Sequence, residues 1–385
     1  MSLPSIVQLE DGWSKIQNGG IAVLERFLDG ELGGDEDRSK PVKLFSKEDY
    51  AHLYTTVYNM CTQRSPNNWD EQLYKRYGEA LVNYIKAKVL PALKDKTGID
   101  LLLELKKRWT NHKLYVKWME KFFMYLDRYF VRLQSVDPLN TKGIQVFREC
   151  VFEVVKNDVK TALLAVINQQ REGETIDVDL VKSIVDMYID LGIGKVNVYV
   201  SEFEEHFLNA TVDYYVRQAT GWLADLSFPE FLRKAEEAIN SEDRRVDSYL
   251  HRSSQPKLKH VVIQSILASP QSKLLEKDTA VTYLLENDKR DDLARMHRMF
   301  NLVEGGTTPI AQAFRSFVTT KGMSLVDVQA ERFKDMSKSE ALSDTKLKKN
   351  LNEKRQNRSE IVNFLFKIAT LASLGGSLAE WNLRN

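Results

Sequence analysis

Between Pro138 and Pro229 the sequence contains ninety consecutive residues without proline. Proline breaks a helix interior because it lacks a backbone donor and its ring clashes with the preceding turn, so this stretch permits long helices. Elsewhere apolar residues recur at the helical period of 3.6, as in EQLYKRYGEALVNYIKAKVLPAL. No segment alternates in the manner of a strand before an Asn-Gly or Asp-Gly turn. The sequence therefore predicts an all-α protein.

The turn-like breaks near Pro138 and Ser253 divide the chain into comparable helical blocks. Stacked helical blocks form rods in which each block contacts only its neighbours, so we expect an elongated, α-solenoid-like stack. No short motif repeats at a fixed period, and the division depends on spacing alone. The expected blocks are 9–138, 139–253 and 254–330, followed by a divergent tail at 331–385.

The tail combines a charge-rich stretch with an apolar one, IVNFLFKIATLASLGGSLAEW at 361–381. Asn363, Lys367 and a glycine pair interrupt the apolar stretch, and a lysine deep in a membrane span costs roughly 2.5–3.5 kcal/mol. We therefore expect a helix outside the membrane here, and no membrane partner.

Charge and cysteine content exclude some classes of function. The formal net charge is +1, whereas a general nucleic-acid binder needs a basic face for phosphate contacts. Cys61 and Cys150 are the two cysteines, too few for a disulfide framework or a thiolate metal site. This composition indicates a reducing compartment, the cytosol or nucleus, and no nucleic-acid partner.

Motifs for chemistry are absent from the sequence. The six histidines are scattered, and there is no HExxH, zinc spacing, P-loop or dinucleotide fingerprint. We predict no catalytic residue, cofactor or metal. One alternative is an all-α enzyme that holds Mg²⁺ and diphosphate on the acidic face of Asp288, Asp291 and Asp292. Acids at a helix start are also explained by the helix dipole, and a second alternative is an all-α rod such as a vesicle-tethering subunit.

The segment DYAHLYTTVYNMC, residues 49–61, has more aromatic surface than one helix face needs. One face carries an aliphatic stripe at i, i+4 and i+7: Leu53, Val57 and Met60. A neighbouring face carries a tyrosine stripe at i, i+4 and i+8: Tyr50, Tyr54 and Tyr58. A surface helix needs only one apolar stripe for its core, and tyrosine is enriched at protein interfaces. The second stripe therefore favours a partner surface, with an unusually thick core as the alternative.

A second aromatic helix is predicted in KWMEKFFMYLDRYFVRLQ, residues 117–134. Helical spacing predicts a core stripe made of Phe122, Leu126, Tyr129 and Leu133. The same spacing places another set on a different face: Glu120, Phe123, Met124 and Asp127.

Several long strings, in order from about residue 9 to about 325, resemble the N-terminal half of cullins, most closely the plant-like cullin-1 branch. They include LYTTVYNMCTQ, LYKRYGEALVNYIKAKVLPAL, INQQREGETIDVDLVKSIVDMYIDLG, RRVDSYLHRSSQPKL and DDLARMHRMFNLVEGG. The resemblance implies three five-helix cullin repeats stacked into a stalk. It also implies a non-catalytic scaffold of a multisubunit SCF-type ubiquitin ligase, acting in ubiquitin-dependent protein degradation.

The resemblance also implies a site. The second and fifth helices of the first repeat, here 46–63 and 112–134, grip a Skp-family adaptor that carries an F-box substrate receptor. The matching positions are Tyr50, Ala51, Tyr54, Tyr58, Glu120, Phe123 and Met124. Among these we expect Tyr58 to lean more toward the core. Cullins continue into a C-terminal domain that binds a RING subunit. We expect that domain to be absent here, so a RING partner requires a C-terminal half supplied elsewhere.

Overall fold

The structure, a computed structural model, describes residues 6–30 and 44–337, without the side chains of 329 and 332–337. Every regular element within these ranges is helical, which confirms the all-α prediction. The chain forms two compact units. The first extends to Phe207 and includes Ser248–His251, and the second comprises Leu208–Asp247 and the residues from Arg252 onward.

The first unit contains the N-terminal helices and the beginning of α12. They are α1 (Leu9–Ile16), α2 (Ala22–Leu28), α3 (Lys47–Thr62), α4 (Asp70–Tyr84), α5 (Leu90–Leu93), α6 (Gly98–Phe122), α7 (Val131–Gln134), α8 (Leu139–Phe147), α9 (Glu153–Arg171), α10 (Val178–Asp190), α11 (Asn197–Tyr199) and α12 (Glu205–Asp225). Five-residue π-helical turns join several of them, at Gln17–Ile21, Ile85–Val89, Leu126–Phe130, Arg148–Phe152 and Val200–Glu204.

Helix α3 begins where its sequence provides a cap. The Ser46 hydroxyl accepts a hydrogen bond from the Asp49 amide at 3.0 Å, and the Asp49 carboxylate accepts one from the Ser46 amide at 3.3 Å. This reciprocal pair satisfies donors that a helix start leaves unpaired. The observed bounds of α3 agree closely with the predicted second helix at 46–63.

Helix α6 is the central helix of the first unit, and it packs against α2, α3, α8, α9 and α10. Helix α8 crosses it closely at Gly143, where a β-carbon would lie 2.6 Å from a methyl group of Val116. At the same crossing, buried His112 donates a hydrogen bond from Nε2 to the Gly143 carbonyl at 2.8 Å. A glycine is therefore required for these two helices to pack.

The second unit contains the rest of α12 and the C-terminal helices. They are α13 (Phe228–Tyr249), α14 (Gln255–Ile263), α15 (Gln271–Leu275), α16 (Val281–Glu286), α17 (Arg290–Phe300) and α18 (Thr307–Ser337). A 3₁₀ turn at Arg252–Ser254 precedes α14, and a π-helical turn at Gln264–Ala268 follows it.

Side-chain hydrogen bonds anchor the helix ends of the second unit. The Thr279 hydroxyl accepts from the Phe228 amide at the start of α13, at 2.9 Å. The Gln271 amide group donates to the Gly306 carbonyl at 2.6 Å, which ties the start of α15 to the turn before α18.

The predicted block boundaries do not map one for one onto these units. Pro138 lies inside the first unit, and the division between units falls within α12. The three-repeat division at 9–138, 139–253 and 254–330 therefore stays a prediction.

None of the helices in the described ranges has the length and apolar character needed to cross a bilayer. The apolar stretch at 361–381 and most of the tail lie outside the described residues.

Candidate protein-interaction surface

Helix α3 presents the predicted tyrosines as a stack along one side. The ring centroids of Tyr50 and Tyr54 are 6.4 Å apart, and those of Tyr54 and Tyr58 are also 6.4 Å apart, with ring planes inclined by 26° in both pairs. Tyr58 is 43% exposed, Tyr50 and Tyr54 are half-buried, and Ala51 between them is exposed. The expectation that Tyr58 leans most toward the core was wrong, because it is the most exposed of the three.

The aliphatic stripe of α3 fills the core as predicted. Leu53 is 2% exposed, and Val57 and Met60 are fully buried. The π-helical turn after α1 approaches this stripe at a glycine, since a β-carbon on Gly20 would lie 3.2 Å from a Leu53 methyl group. These aliphatic side chains already pack α3 against its neighbours. The core packing of this helix therefore does not require the tyrosine stripe.

The tyrosine stack continues beyond α3 onto the segment that follows α6. Tyr58 meets Tyr125 edge to face, with centroids 5.1 Å apart and planes at 87°. Tyr125 in turn packs against Tyr129 at 4.5 Å, and Tyr129 is 59% exposed. We call this row of five rings, Tyr50, Tyr54, Tyr58, Tyr125 and Tyr129, the tyrosine ridge.

Sequence reasoning missed Tyr125 and misplaced Tyr129. Their i, i+4 spacing repeats the spacing on α3 and was the available signal. Burial, followed by the proximity of Cys61 and of other ridge tyrosines, raises the pKa of Tyr125. Its phenol is therefore neutral at physiological pH, and the ridge offers aromatic surface with hydroxyl groups for hydrogen bonding.

The path of the chain after α6 explains why Tyr129 points outward. Helix α6 ends at Phe122, and Phe123 leaves the helical region with φ −98° and ψ 17°. The following turn at Leu126–Phe130 is π-helical, so it holds more residues per turn than an α-helix. Leu126 and Phe130 are consequently buried, whereas Tyr129 and Leu133 are 59% and 79% exposed. The prediction that Tyr129 and Leu133 belong to the core stripe was wrong.

Phe123 is not accessible to a partner, although the family resemblance implies that it is an adaptor-binding position. Its side chain is fully buried, with its ring centroid 5.7 Å from that of Tyr77 and 6.3 Å from that of Trp13. The break in the helix turns this ring toward α1 and α4, so Phe123 belongs to the core and not to a face separate from it. Met124, the next residue, is half-buried.

Glu120 lies at the junction of α6 with α8. Burial raises the pKa of its carboxyl group, and a hydrogen bond with Asn140 partly offsets this effect. The nearby Asp127 carboxylate accepts a hydrogen bond from the Leu139 amide at 2.9 Å and so caps α8. Glu120 therefore has a structural role in this junction, and its part in partner binding stays a prediction.

Charged side chains of opposite sign flank the two ends of the tyrosine ridge. Exposed Glu48 and Asp49 precede Tyr50 at the start of α3. Exposed Arg128 and Arg132 flank Tyr129 at the other end. A partner of complementary charge would be oriented along the ridge by these groups.

The acidic face at the start of α17 is occupied by ion pairs. Asp288 pairs with Arg290 at 3.3 Å, and Asp292 pairs with Arg295 at 3.0 Å. Nowhere in 6–30 or 44–337 do three side chains of metal-binding type come together as a potential cation site. The arrangement of these carboxylates gives no support to the alternative of a Mg²⁺-dependent enzyme.

A known protein family matches most of this chain. The family described as the cullin alpha solenoid domain matches residues 39–374. Cullin-1 of Oryza sativa subsp. japonica is 42% identical over 326 residues, which cover 84% of this chain and 42% of that protein.

Two Arabidopsis thaliana proteins are similarly related. Cullin-2 is 39% identical over 332 residues, and putative cullin-like protein 1 is 37% identical over 330 residues. Each alignment covers 86% of this chain and 44% of the relative. The chain thus spans less than half the length of these curated relatives.

Proposed function

The chain belongs to the cullin family, and on this premise we propose that it is a non-catalytic scaffold subunit of a ubiquitin ligase. Its first unit binds a Skp-family adaptor, which carries an F-box substrate receptor, through the tyrosine ridge. This assignment replaces the alternative of a vesicle-tethering rod, which would belong to a different family.

The continuity of the tyrosine ridge across two elements is the observation that carries this proposal. Its rings come from α3 and from the segment after α6, the same two stretches that the family resemblance assigns to adaptor binding. Tyrosines are enriched among the residues that dominate binding energy, because they bury a large rigid ring and tolerate water at the hydroxyl. The aliphatic stripe already forms the core contact of α3. A row of five tyrosine rings beside it is therefore better explained as a binding surface for a partner than as packing that stabilises the fold.

Individual residues of the proposed interface have distinct roles. Tyr50, Tyr54 and Tyr58 provide ring surface on α3, and exposed Ala51 beside them has a side chain too small to obstruct a partner. Met124 adds a flexible apolar side chain at the edge. Tyr125 and Tyr129 extend the interface beyond the residues predicted from the sequence, and buried Phe123 supports the segment from beneath without touching the partner.

The proposed mechanism is positioning. A scaffold holds a substrate receptor at a fixed place relative to the transfer machinery, which raises the effective concentration of the substrate and restricts its orientation. The F-box receptor, and not this chain, would select the substrate. We propose the cytosol and nucleus as the compartments, in keeping with free Cys61 and Cys150.

Isothermal titration of the chain with a purified Skp-family adaptor tests the proposal. We expect saturable 1:1 binding that is lost in a Tyr54→Ala, Tyr58→Ala variant. Tyr283→Ala is a matched control, because Tyr283 is a tyrosine of the second unit with 40% exposure, close to the 43% of Tyr58. Absence of binding by the parent chain, or equal loss in the control, would contradict the proposed function.

A further inference from the structure

The side of α6 that does not pack against other helices carries a row of lysines. At 100° per residue, the four lysines of this row lie within about 80° of one another around the helix axis. Three of them are exposed, and the first is half-buried. We call this set the lysine row: Lys106, Lys113, Lys117 and Lys121.

The charge of this part of the first unit differs from that of the chain as a whole. Residues 86–121 contain ten basic and four acidic residues, a formal charge of +6. The whole chain has a formal net charge of +1, so the remainder carries −5. A surface that concentrates one sign of charge attracts partners of the opposite sign.

The acidic side chains of α6 do not neutralise the lysine row. Glu104 accepts a hydrogen bond from Arg108 at 2.8 Å, on another side of the helix. Glu120 is half-buried at the junction with α8, where it bonds with Asn140. Asp100 precedes the row by more than one helical turn.

Neighbouring helices leave most of the row without an acidic partner. Lys113 pairs with Asp190 of α10 at 3.3 Å, and exposed pairs of this kind contribute little to stability. Within the part of the chain that the structure describes, no carboxylate lies at ion-pair distance from Lys106 or Lys117. The row therefore presents uncompensated positive charge to solvent.

Apolar side chains accompany the row on the same side of α6. Ile99 is 51% exposed and Leu103 is 46% exposed, just before the first lysine. Half-buried Leu114 and Trp118 flank the row, and the Lys121 ammonium group lies 4.1 Å from the centroid of the Trp118 ring. A phosphate backbone would engage the lysines alone, whereas a polypeptide can place apolar side chains beside its carboxylates and engage both.

We propose that this side of α6 binds an acidic helical segment of another protein, with apolar side chains next to its carboxylates. The row is about 22 Å long, and its last three lysines are about 6 Å apart along the helix axis. Carboxylates at every fourth position of a partner helix have the same spacing. The row ends four residues before Tyr125 of the tyrosine ridge. The proposal concerns a second surface and does not depend on adaptor binding.

Fluorescence anisotropy with a labelled 18-residue peptide tests this proposal on the full chain. The peptide contains glutamate and leucine on adjacent faces of a helix. We expect saturable binding that weakens as salt is added, because salt screens exposed charges. Lys113→Glu with Lys117→Glu should weaken binding by tenfold or more. Lys259→Glu with Lys273→Glu is the matched control, because it makes the same charge change at exposed lysines of the second unit and should keep the parent affinity.

Two further variants separate the contributions. Ile99→Ser with Leu103→Ser should weaken peptide binding several-fold at low and at high salt alike, because salt does not screen apolar contacts. Tyr54→Ala with Tyr58→Ala should bind the peptide like the parent, even though the ridge has lost two rings. Parent-like thermal melting of each variant shows that the fold is retained.

Four results would overturn the proposal. The first is no saturable binding of the peptide by the parent chain, and the second is an equal loss in the Lys259, Lys273 control. The third is loss of peptide binding in the Tyr54, Tyr58 variant, which would place the peptide on the ridge. The fourth is tighter binding of an 18-nucleotide single-stranded DNA, or of phosphatidylserine vesicles, than of the peptide.

Discussion

Replacing Tyr50 and Tyr54 together by alanine separates adaptor binding from folding. Tyr54 stacks on Tyr50 and on Tyr58, so the double variant removes two ring contacts from the tyrosine ridge. The aliphatic stripe beneath, with Leu53 at 2% exposure, stays intact. We therefore expect the variant to fold and to lose most of its affinity for a Skp-family adaptor.

The expected loss of stability is small. An aromatic pair contributes about 0.5–1.5 kcal/mol beyond area burial, and the low end applies here because the rings are partly exposed, so we expect a total near 1 kcal/mol. For a body of about 200 residues this lowers the melting temperature by roughly 2–4 °C. Leu53→Ala is the control that disturbs the core, and its expected cost is about 2–5 kcal/mol.

The expected loss of affinity is much larger. A tyrosine near the centre of an interface contributes about 2 kcal/mol or more, so the pair corresponds to a decrease of roughly a thousandfold in affinity. Calorimetric titration with the adaptor, combined with thermal melting of the parent, the tyrosine variant and Leu53→Ala, measures both quantities. A tyrosine variant that melts as early as Leu53→Ala would show that the ridge is core, and one that melts normally yet binds at full affinity would place the adaptor elsewhere.

Three further outcomes follow from other contacts. Arg128→Glu with Arg132→Glu should slow adaptor association and weaken its salt dependence, as measured by stopped-flow at two ionic strengths, because exposed charges act mainly on the association rate. Gly143→Ala should lower the free energy of unfolding by about 1–3 kcal/mol in denaturant titration, because the new methyl group would collide with Val116. Burial lowers the pKa of His112 to about 4, so the unfolded chain binds an extra proton between that value and its ordinary value near 6.5. The free energy of unfolding should fall by about 3 kcal/mol as the pH drops through this window, and His112→Gln should remove that part of the slope.

Local sequence signals were sufficient to predict which residues of α3 face the core and which form a second stripe. The period of Leu53, Val57 and Met60 and the i, i+4 spacing of the tyrosines both act within one regular helix. The core residues and the second stripe could therefore be predicted from the sequence, whereas the bounds 46–63 came from the family resemblance. Only the relative exposure of Tyr58 was misjudged.

The same reasoning failed after α6 because it assumed an uninterrupted α-helix. The break at Phe123 and the π-helical turn at Leu126–Phe130 change the angle between successive side chains. Phe123 therefore turns inward and Tyr129 outward. The break lies where Phe123 packs against helices distant in sequence, through Trp13 and Tyr77. The periodicity of residues within the segment cannot predict such a break.

The amide-exchange footprint of a saturating Skp-family adaptor on this chain tests whether the adaptor binds the tyrosine ridge. We predict slower exchange in 47–62 and 123–134, the two stretches that carry the ridge, with parent rates in the second unit. Adaptor bound at full occupancy without protection of either stretch, or with protection confined to the second unit, would contradict it.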